Sequence, residues 1–324
     1  MKGIGGEVRW RKWMNPIKII PMAKECLWGG DRLKADYNIE TDLDRVAEAW
    51  MLSPTVETSI IGSGENKGQP ITALLDEGED INKAFPLMVK FIDAAKPLSV
   101  QVHPSDEFAM ANYGTCGKTE CWYVLDAEPG AYLYYGFSRP VNREEVRERI
   151  ENGTLISVLN KIEVKKNDIF LIKSGTLHAI GPGILVAEIQ QNSPWTFRVF
   201  DYQRVDKDGK QRELHIEKAL ACMNLACFQA QSRPEPVKAG DGYQIFTMVK
   251  CPYFDAYIYR ITKGVKISGT TGKWRGILVT DGEMTIRNEK EEETIRAIKG
   301  EFYLVPRNED KYEIKGEAEF ILVD

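Results

Sequence analysis

A chain of 324 residues and 36.8 kDa has room for one large domain or two of ordinary size. Its 43% hydrophobic and 28% charged residues are a globular composition, which excludes a disordered chain. A net charge of −5, from 43 basic and 48 acidic residues, argues against nucleic acid as a partner. No apolar run approaches the roughly 20 residues that a membrane helix needs.

The N-terminal MKGIGGEVRWRKWMN is basic but has no apolar region behind it, so it does not read as a signal peptide. Strand-like runs follow: NPIKIIPM, VAEAWML, PLMVKFID, PLSVQVHP, CWYVLDA, AYLYYGF, DIFLIKSG, ILVAEIQQ and WTFRVFDY. They are short, rich in β-branched and aromatic residues, and punctuated by Gly, Pro, Asn and Asp. Strict alternation of strand and helix is missing, which disfavours a doubly wound parallel sheet.

Helices enter as insertions. Asn142 followed by Glu145 forms an N-terminal signature, and the helix it opens stops near Gly153. A second helix is expected in ELHIEKALACM (213–223), burying Leu214, Ala219 and Leu220, with His215 on its polar side and no chemistry assigned to it. The proline-containing 231–242 reads as a linker, after which the chain returns to strands. The six cysteines (26, 116, 121, 222, 227 and 251) form no compact framework, so reduced thiols and a cytoplasmic address are expected.

A weak internal repeat sets KNDIFLIKSGTLH (166–178) over KGEFYLVPRNEDK (299–311) without a gap. It suggests two small antiparallel barrels. The first copy ends on His178 and the second on Lys311, so only the first barrel has a histidine to offer a metal.

In PLSVQVHP, Leu98, Val100 and Val102 alternate with Ser99, Gln101 and His103, sending aliphatic and polar side chains to opposite faces. Glu120 opens the strand of GKTECWYVL, and His178 follows the turn SGT. Two imidazoles and a carboxylate, with an amide from Gln101, suit zinc or another divalent transition metal and leave a position for substrate. Taken singly, each histidine reads as an ordinary hydrogen-bonding residue.

QVHPSDEFA, GKTECWY, SGTLHAIGPGILVAEIQQNS and FRVFDYQR occur in that order, preceded by WGGDRL and AEAWMLSP. Together they resemble the signatures of type I mannose-6-phosphate isomerases, in their short prokaryotic form, over residue 16 to the C-terminus. The resemblance implies a mainly β fold of two cupin-type, jelly-roll-like antiparallel barrels with short helical insertions. It implies a metal-dependent interconversion of mannose 6-phosphate and fructose 6-phosphate through an enediolate.

The implied metal is Zn2+, one per chain, on Gln101, His103, Glu120 and His178. Arg198, Glu188 and Lys118 fall at catalytic positions, and Ser99 and Arg204 where the family holds substrate phosphate. Pro194, Trp195 and Thr196 depart from the family's usual Asp and Thr run after QQNS. The expected organisation is an extension at 1–15, a metal-binding catalytic cupin at 16–232, a linker at 233–242 and a metal-free cupin-like domain at 243–324. The expected partner is a hexose 6-phosphate, with neither nucleic acid nor membrane, on a monomer or homodimer. Two other readings stay open on the residues alone. One is a non-catalytic sugar- or metal-binding cupin; the other is a non-haem iron dioxygenase, whose two-His, one-carboxylate triad is the same donor set.

Overall fold

The strands expected from the sequence form antiparallel sheets in a computed structural model that describes residues 15–205, 208–227 and 236–324. The expected extension at 1–15, apart from Asn15, and residues 233–235 of the expected linker lie outside the described residues. The chain divides into two compact units. One takes Met22–Val56 and Leu87 onward through residue 227; the other takes 15–21, Glu57–Pro86 and 236–324. Both are therefore built from separated stretches, whereas the sequence suggested continuous ones.

In the first unit, a six-stranded sheet runs in the order Ile169–Ile172, Glu120–Ala127, Ile184–Gln191, Leu87–Ala94, Glu48–Leu52, Met22–Lys24. A five-stranded sheet runs Phe197–Phe200, Val100–Val102, His178–Ile180, Tyr132–Phe137, Leu159–Glu163. Neither sheet closes on itself, so the expected barrel is two open sheets facing across a core. That core draws Ile92, Trp122, Val124, Phe170 and Val186 from one sheet and Leu133, Tyr135 and Ile180 from the other.

From Ser99 to His103 the alternation sorts as the period of two requires, whereas Leu98, which precedes the strand Val100–Val102, packs against the inter-sheet core instead of joining the two valines. Val100 and Val102 point outward, into a second cluster with Val146, Ile150, Ala219 and Leu220. The helices Arg143–Glu151 and Ile216–Cys222 thus cover the outer face of the five-stranded sheet. Asn142 caps the first, its side chain accepting from the Glu145 N–H. In the second, Leu214 is exposed rather than buried as expected, because the helix begins only at Ile216. A further helix, Asp106–Tyr113, follows HPS and is capped by Ser105.

In the other unit, Lys311–Val323 and Arg275–Asn288 form the spine of a ten-stranded sheet. Residues 236–240, read above as linker, are its edge strand, paired with Tyr243–Lys250. The repeat is visible in bond detail. Lys165 N–H donates to the Asp168 carboxylate and Asp168 N–H returns to Lys165 O; Ile298 and Glu301 make the same reciprocal pair. The turn residue between them takes positive φ in both copies, Asn167 at 75° and Gly300 at 91°. The apolar strands Ile169–Ile172 and Phe302–Val305 follow, and His178 and Lys311 each open the next strand.

Leu133 is fully buried between the two sheets of the first unit. Leu133→Ala should cost about 2–5 kcal/mol, the usual range for a cavity of this kind. A lower denaturant midpoint at unchanged slope is the expected reading; a loss below about 1 kcal/mol would contradict this packing.

Candidate metal centre and adjoining cavity

The inner faces of the two sheets carry two facing rows of side chains. Across the five-stranded sheet, strand pairing aligns Tyr135, His178, Gln101 and Arg198. Across the six-stranded sheet it aligns Trp122, Glu188, Lys90 and Trp50. Glu120 sits two residues before Trp122 on the same face.

His103, Glu120 and His178 converge, with one donor atom from each lying within 4.8 Å of the others, and all three are buried. His103 Nε2 is 3.2 Å from one Glu120 oxygen and His178 Nε2 is 3.4 Å from the other. Each ring is fixed from behind: His103 Nδ1 lies 2.9 Å from Trp195 O, and His178 Nδ1 2.8 Å from Thr176 O. A carbonyl only accepts, so Nδ1 carries the proton in both and the Nε2 lone pairs face the carboxylate. Two lone pairs aimed at an anion repel unless a cation stands among them. Both Glu120 oxygens are sealed from solvent and lack an aligned hydrogen bond, although Lys118 Nζ is 2.6 Å away. These three residues fit a divalent metal ion. Gln101 stands beside them, its Nε2 3.4 Å from His178 Nε2.

Burial, and then the Lys118 ammonium, lowers the His103 pKa. Burial and the adjacent His103 bring His178 down to about 3. Burial works to raise Glu120, but the Lys118 ammonium beside it holds it well below the usual carboxylate range. Neutral imidazoles and an ionised carboxylate are the forms that ligate.

Beside this cluster opens a cavity of about 180 Å³. Its wall includes Glu48, Lys90, Ser99, Gln101, Lys118, Glu188, Arg198 and Arg212, with Trp28 and Trp122 as apolar surfaces. Glu188 accepts a 2.8 Å hydrogen bond from Trp122 Nε1 and lies 3.8 Å from Lys90 Nζ and 3.9 Å from Lys118 Nζ. Burial and the Glu120 charge raise its pKa against the pull of those lysines. Glu48 differs. Burial opposes its ionisation, yet Lys90 at 3.2 Å and the Trp50 N–H at 2.7 Å lower its pKa on balance.

The loop that delivers Lys118 is held against its neighbour. A Cβ on Gly117 would meet Ser105 C at 2.4 Å and Pro104 O at 2.5 Å, so only glycine allows this approach. Arg198 donates from Nε to Ser99 Oγ at 3.2 Å, joining two residues expected in separate roles.

Arg204 departs from expectation. Its guanidinium is taken by Pro97 O at 2.6 Å and by the Asp201 carboxylate, and it is not on the cavity wall. Lys90, Arg212 and Trp28 are wall residues that sequence reasoning missed or set aside. Lys90 carried a signal: a lysine on the same face as Ile92, inside the apolar run PLMVKFID. Arg212 carried none, since it lies outside any strand. His215, to which no chemistry was assigned, accepts at Nδ1 from the Arg198 N–H and donates its own N–H to Arg198 O.

Facing open sheets that seat two histidines and a carboxylate on their inner surfaces, beside a polar cavity, are the arrangement of a cupin-type fold with a candidate metal centre. Residues 17–129 match the model of the type I phosphomannose isomerase catalytic domain, and residues 244–324 that of the mannose-6-phosphate isomerase cupin domain. The chain is 34% identical over 313 residues to a mannose-6-phosphate isomerase of Streptococcus mutans, covering 95% of this chain and 97% of that one. It is 33% identical over 315 residues to one from Bacillus subtilis, covering 95% and 98%. The crystal structure of a Bacillus subtilis mannose 6-phosphate isomerase superposes with a TM-score of 0.87 at 30% identity, over 95% of this chain and 99% of that one. The chain belongs to the type I mannose-6-phosphate isomerase family. It is an isomerase, and its family is metal-dependent.

In metal-free protein the depressed pKa of His178 ties stability to pH. Between about 3 and 6.5 the unfolded chain binds a proton at this site and the native one does not, so stability falls as pH drops through that window. His178→Gln should flatten that part of the curve, measured as urea midpoint against pH under chelator; an unchanged slope would refute a buried neutral imidazole.

Proposed function

We propose that the chain interconverts mannose 6-phosphate and fructose 6-phosphate through an enediolate, with zinc held by His103, Glu120 and His178 and with Gln101 beside it. The observation that carries this reading is the convergence of these three side chains next to a cavity lined by Glu188, Lys90, Lys118 and Arg198. The cation, when held there, supplies Lewis acidity to the carbonyl and adjacent hydroxyl oxygens of the sugar.

The protein's own groups do the rest. Moving the carbonyl from C1 to C2 requires a base that lifts a carbon-bound proton and returns it next door. Glu188 suits this better than Glu48, because its pKa is raised where that of Glu48 is lowered. A more basic carboxylate takes a carbon-bound proton more readily, and the Trp122 N–H holds it in place. Lys118, between Glu120 and Glu188, balances charge as protons move. Arg198, charged throughout, counters the developing oxyanion. Ser99, bonded to Arg198, faces the sugar's phosphate end.

Six dispersed, free cysteines are consistent with a reducing cytoplasm, where the chain acts as a monomer or homodimer.

A coupled assay for fructose 6-phosphate, with and without chelator, together with metal analysis, tests this reading. Turnover with zinc and its loss on chelation are expected; turnover that survives full metal removal would overturn it. Arg198→Ala should retain the metal and lose about 10²–10³ in kcat, the scale for removing a transition-state donor. Unchanged kcat would remove Arg198 from the chemistry.

A further inference from the structure

Lys118 is placed by neither a helix nor a strand. It stands in the stretch 114–119, between the helix Asp106–Tyr113 and the strand Glu120–Ala127, yet it is buried and its ammonium has three near neighbours. Nζ lies 2.6 Å from a Glu120 oxygen, 3.4 Å from His103 Nε2 and 3.9 Å from Glu188. A lysine ammonium is a point charge on a flexible stem, so the backbone has to fix where that stem begins. A connecting segment does this only if it is anchored, since such segments are otherwise mobile.

The anchor is a polar clasp from two other parts of the chain. Three consecutive backbone N–H groups, those of Gly117, Lys118 and Thr119, each find an acceptor outside the stretch. Gly117 donates to Asp106 Oδ1 at 2.8 Å, Lys118 to Pro104 O at 3.0 Å and Thr119 to Gln191 Oε1 at 2.8 Å. Gln191 Nε2 in turn donates to the same Asp106 oxygen at 3.1 Å, and the Gln191 N–H to Thr119 O at 3.1 Å. An amide side chain is the group this place needs, because it gives a donor to a carboxylate and an acceptor to a backbone N–H at once. Ser193 Oγ, donating to Cys116 O at 3.1 Å, ties the preceding residue as well.

Neither Asp106 nor Gln191 is on the cavity wall, whereas Lys118 is. Asp106 follows His103 in QVHPSDEFA, and Gln191 ends the strand that carries Glu188. The clasp therefore binds the amides around Lys118 to the two segments that present an imidazole of the metal centre and the carboxylate base.

We propose that Asp106 and Gln191 are positioning residues for the isomerisation, holding the amides on either side of Lys118 so that its ammonium stands between Glu120 and Glu188. The proposal rests on the role given to Lys118 above. Misplacing a reacting group by about 1 Å can cost about 10²-fold in rate. Here such a shift brings Nζ toward one carboxylate at the expense of the other.

The test uses the zinc-loaded full chain. Asp106→Ala should lower kcat about 10- to 100-fold, with bound zinc unchanged and KM for mannose 6-phosphate within about threefold. Asp106→Asn keeps an acceptor oxygen and should recover most of that loss. Gln191→Glu sets a second carboxylate against Asp106; it should cost as much as Asp106→Ala, and it carries the same comparison if Asp106→Ala does not fold. Glu107→Ala removes the other carboxylate of the first helical turn, outside the clasp, and should leave kcat within about twofold. In a Lys118→Met background, Asp106→Ala should lower kcat by less than about threefold more, because the group it positions is gone. Independently of turnover, deuterium uptake at 115–120 should quicken in Asp106→Ala and Gln191→Glu. Full additivity of Asp106→Ala with Lys118→Met, loss of zinc in step with kcat, or unchanged uptake at 115–120 would overturn the proposal. A parent chain whose uptake there is slow and quickened by Asp106→Ala, yet which isomerises no hexose phosphate, would keep the clasp on Lys118 and defeat the isomerase reading.

Discussion

The structure turns on one buried anion. Glu120 is fully enclosed, its oxygens have no aligned hydrogen bond, and both face the unprotonated nitrogens of histidines on the opposite sheet. An ionised carboxylate in such a place is costly unless positive charge accompanies it. Lys118 meets part of that need, and a divalent cation held by the three side chains would meet the rest. Because Glu120 comes from the six-stranded sheet and the histidines from the five-stranded one, a cation held there would join the two inner faces. Geometry that would be a defect in an ordinary core is here the reason for the cavity beside it.

From that point charge is distributed in two zones. Near the cluster, Glu120, Glu188 and Glu48 alternate with Lys118 and Lys90, so the protonation of each depends on its neighbours and small differences in pairing separate a basic carboxylate from an acidic one. Farther along the inner face, the charges are guanidiniums, which do not titrate. The cavity wall thus joins groups that exchange protons to groups that carry a fixed positive charge. The two kinds of chemistry are kept apart by strand spacing, since neighbouring strands are only about 5 Å apart.

Much of this was legible in the chain, where local rules decide the outcome. The alternation through Ser99, Gln101 and His103 does place three polar groups on one inner face, with Val100 and Val102 buried on the other. The Asn142 cap and the strand edges follow short-range chemistry that survives into the fold. What escaped depends on tertiary placement. Lys90 is one residue in an apolar run until Glu48 and Glu188 are seen on either side of it. Arg204 lies in FRVFDYQR and Arg212 in no motif, yet the motif does not say which of them reaches the cavity. Both pair with Asp201, but Arg204 also donates to Pro97 O while Arg212 reaches the cavity wall. Barrel closure and domain boundaries were likewise beyond local pattern, because end strands and the return of Glu57–Pro86 to the second unit depend on pairings distant in sequence.

The repeat bears on what the metal is for. The turn at 165–168 and its counterpart at 298–301 form the same reciprocal hydrogen bonds, the same positive-φ residue and the same apolar strand. Yet the second copy ends on Lys311, an exposed residue, where the first ends on His178. The same supersecondary element is therefore built without a ligand at that position, and a cation is not what shapes it. Beside the first copy's His178, whose ring is fixed by Thr176 O, His103 is fixed likewise by Trp195 O, so both tautomers are held by backbone carbonyls. The scaffold precedes the ion. A metal entering a site so arranged would find its imidazole ligands already oriented.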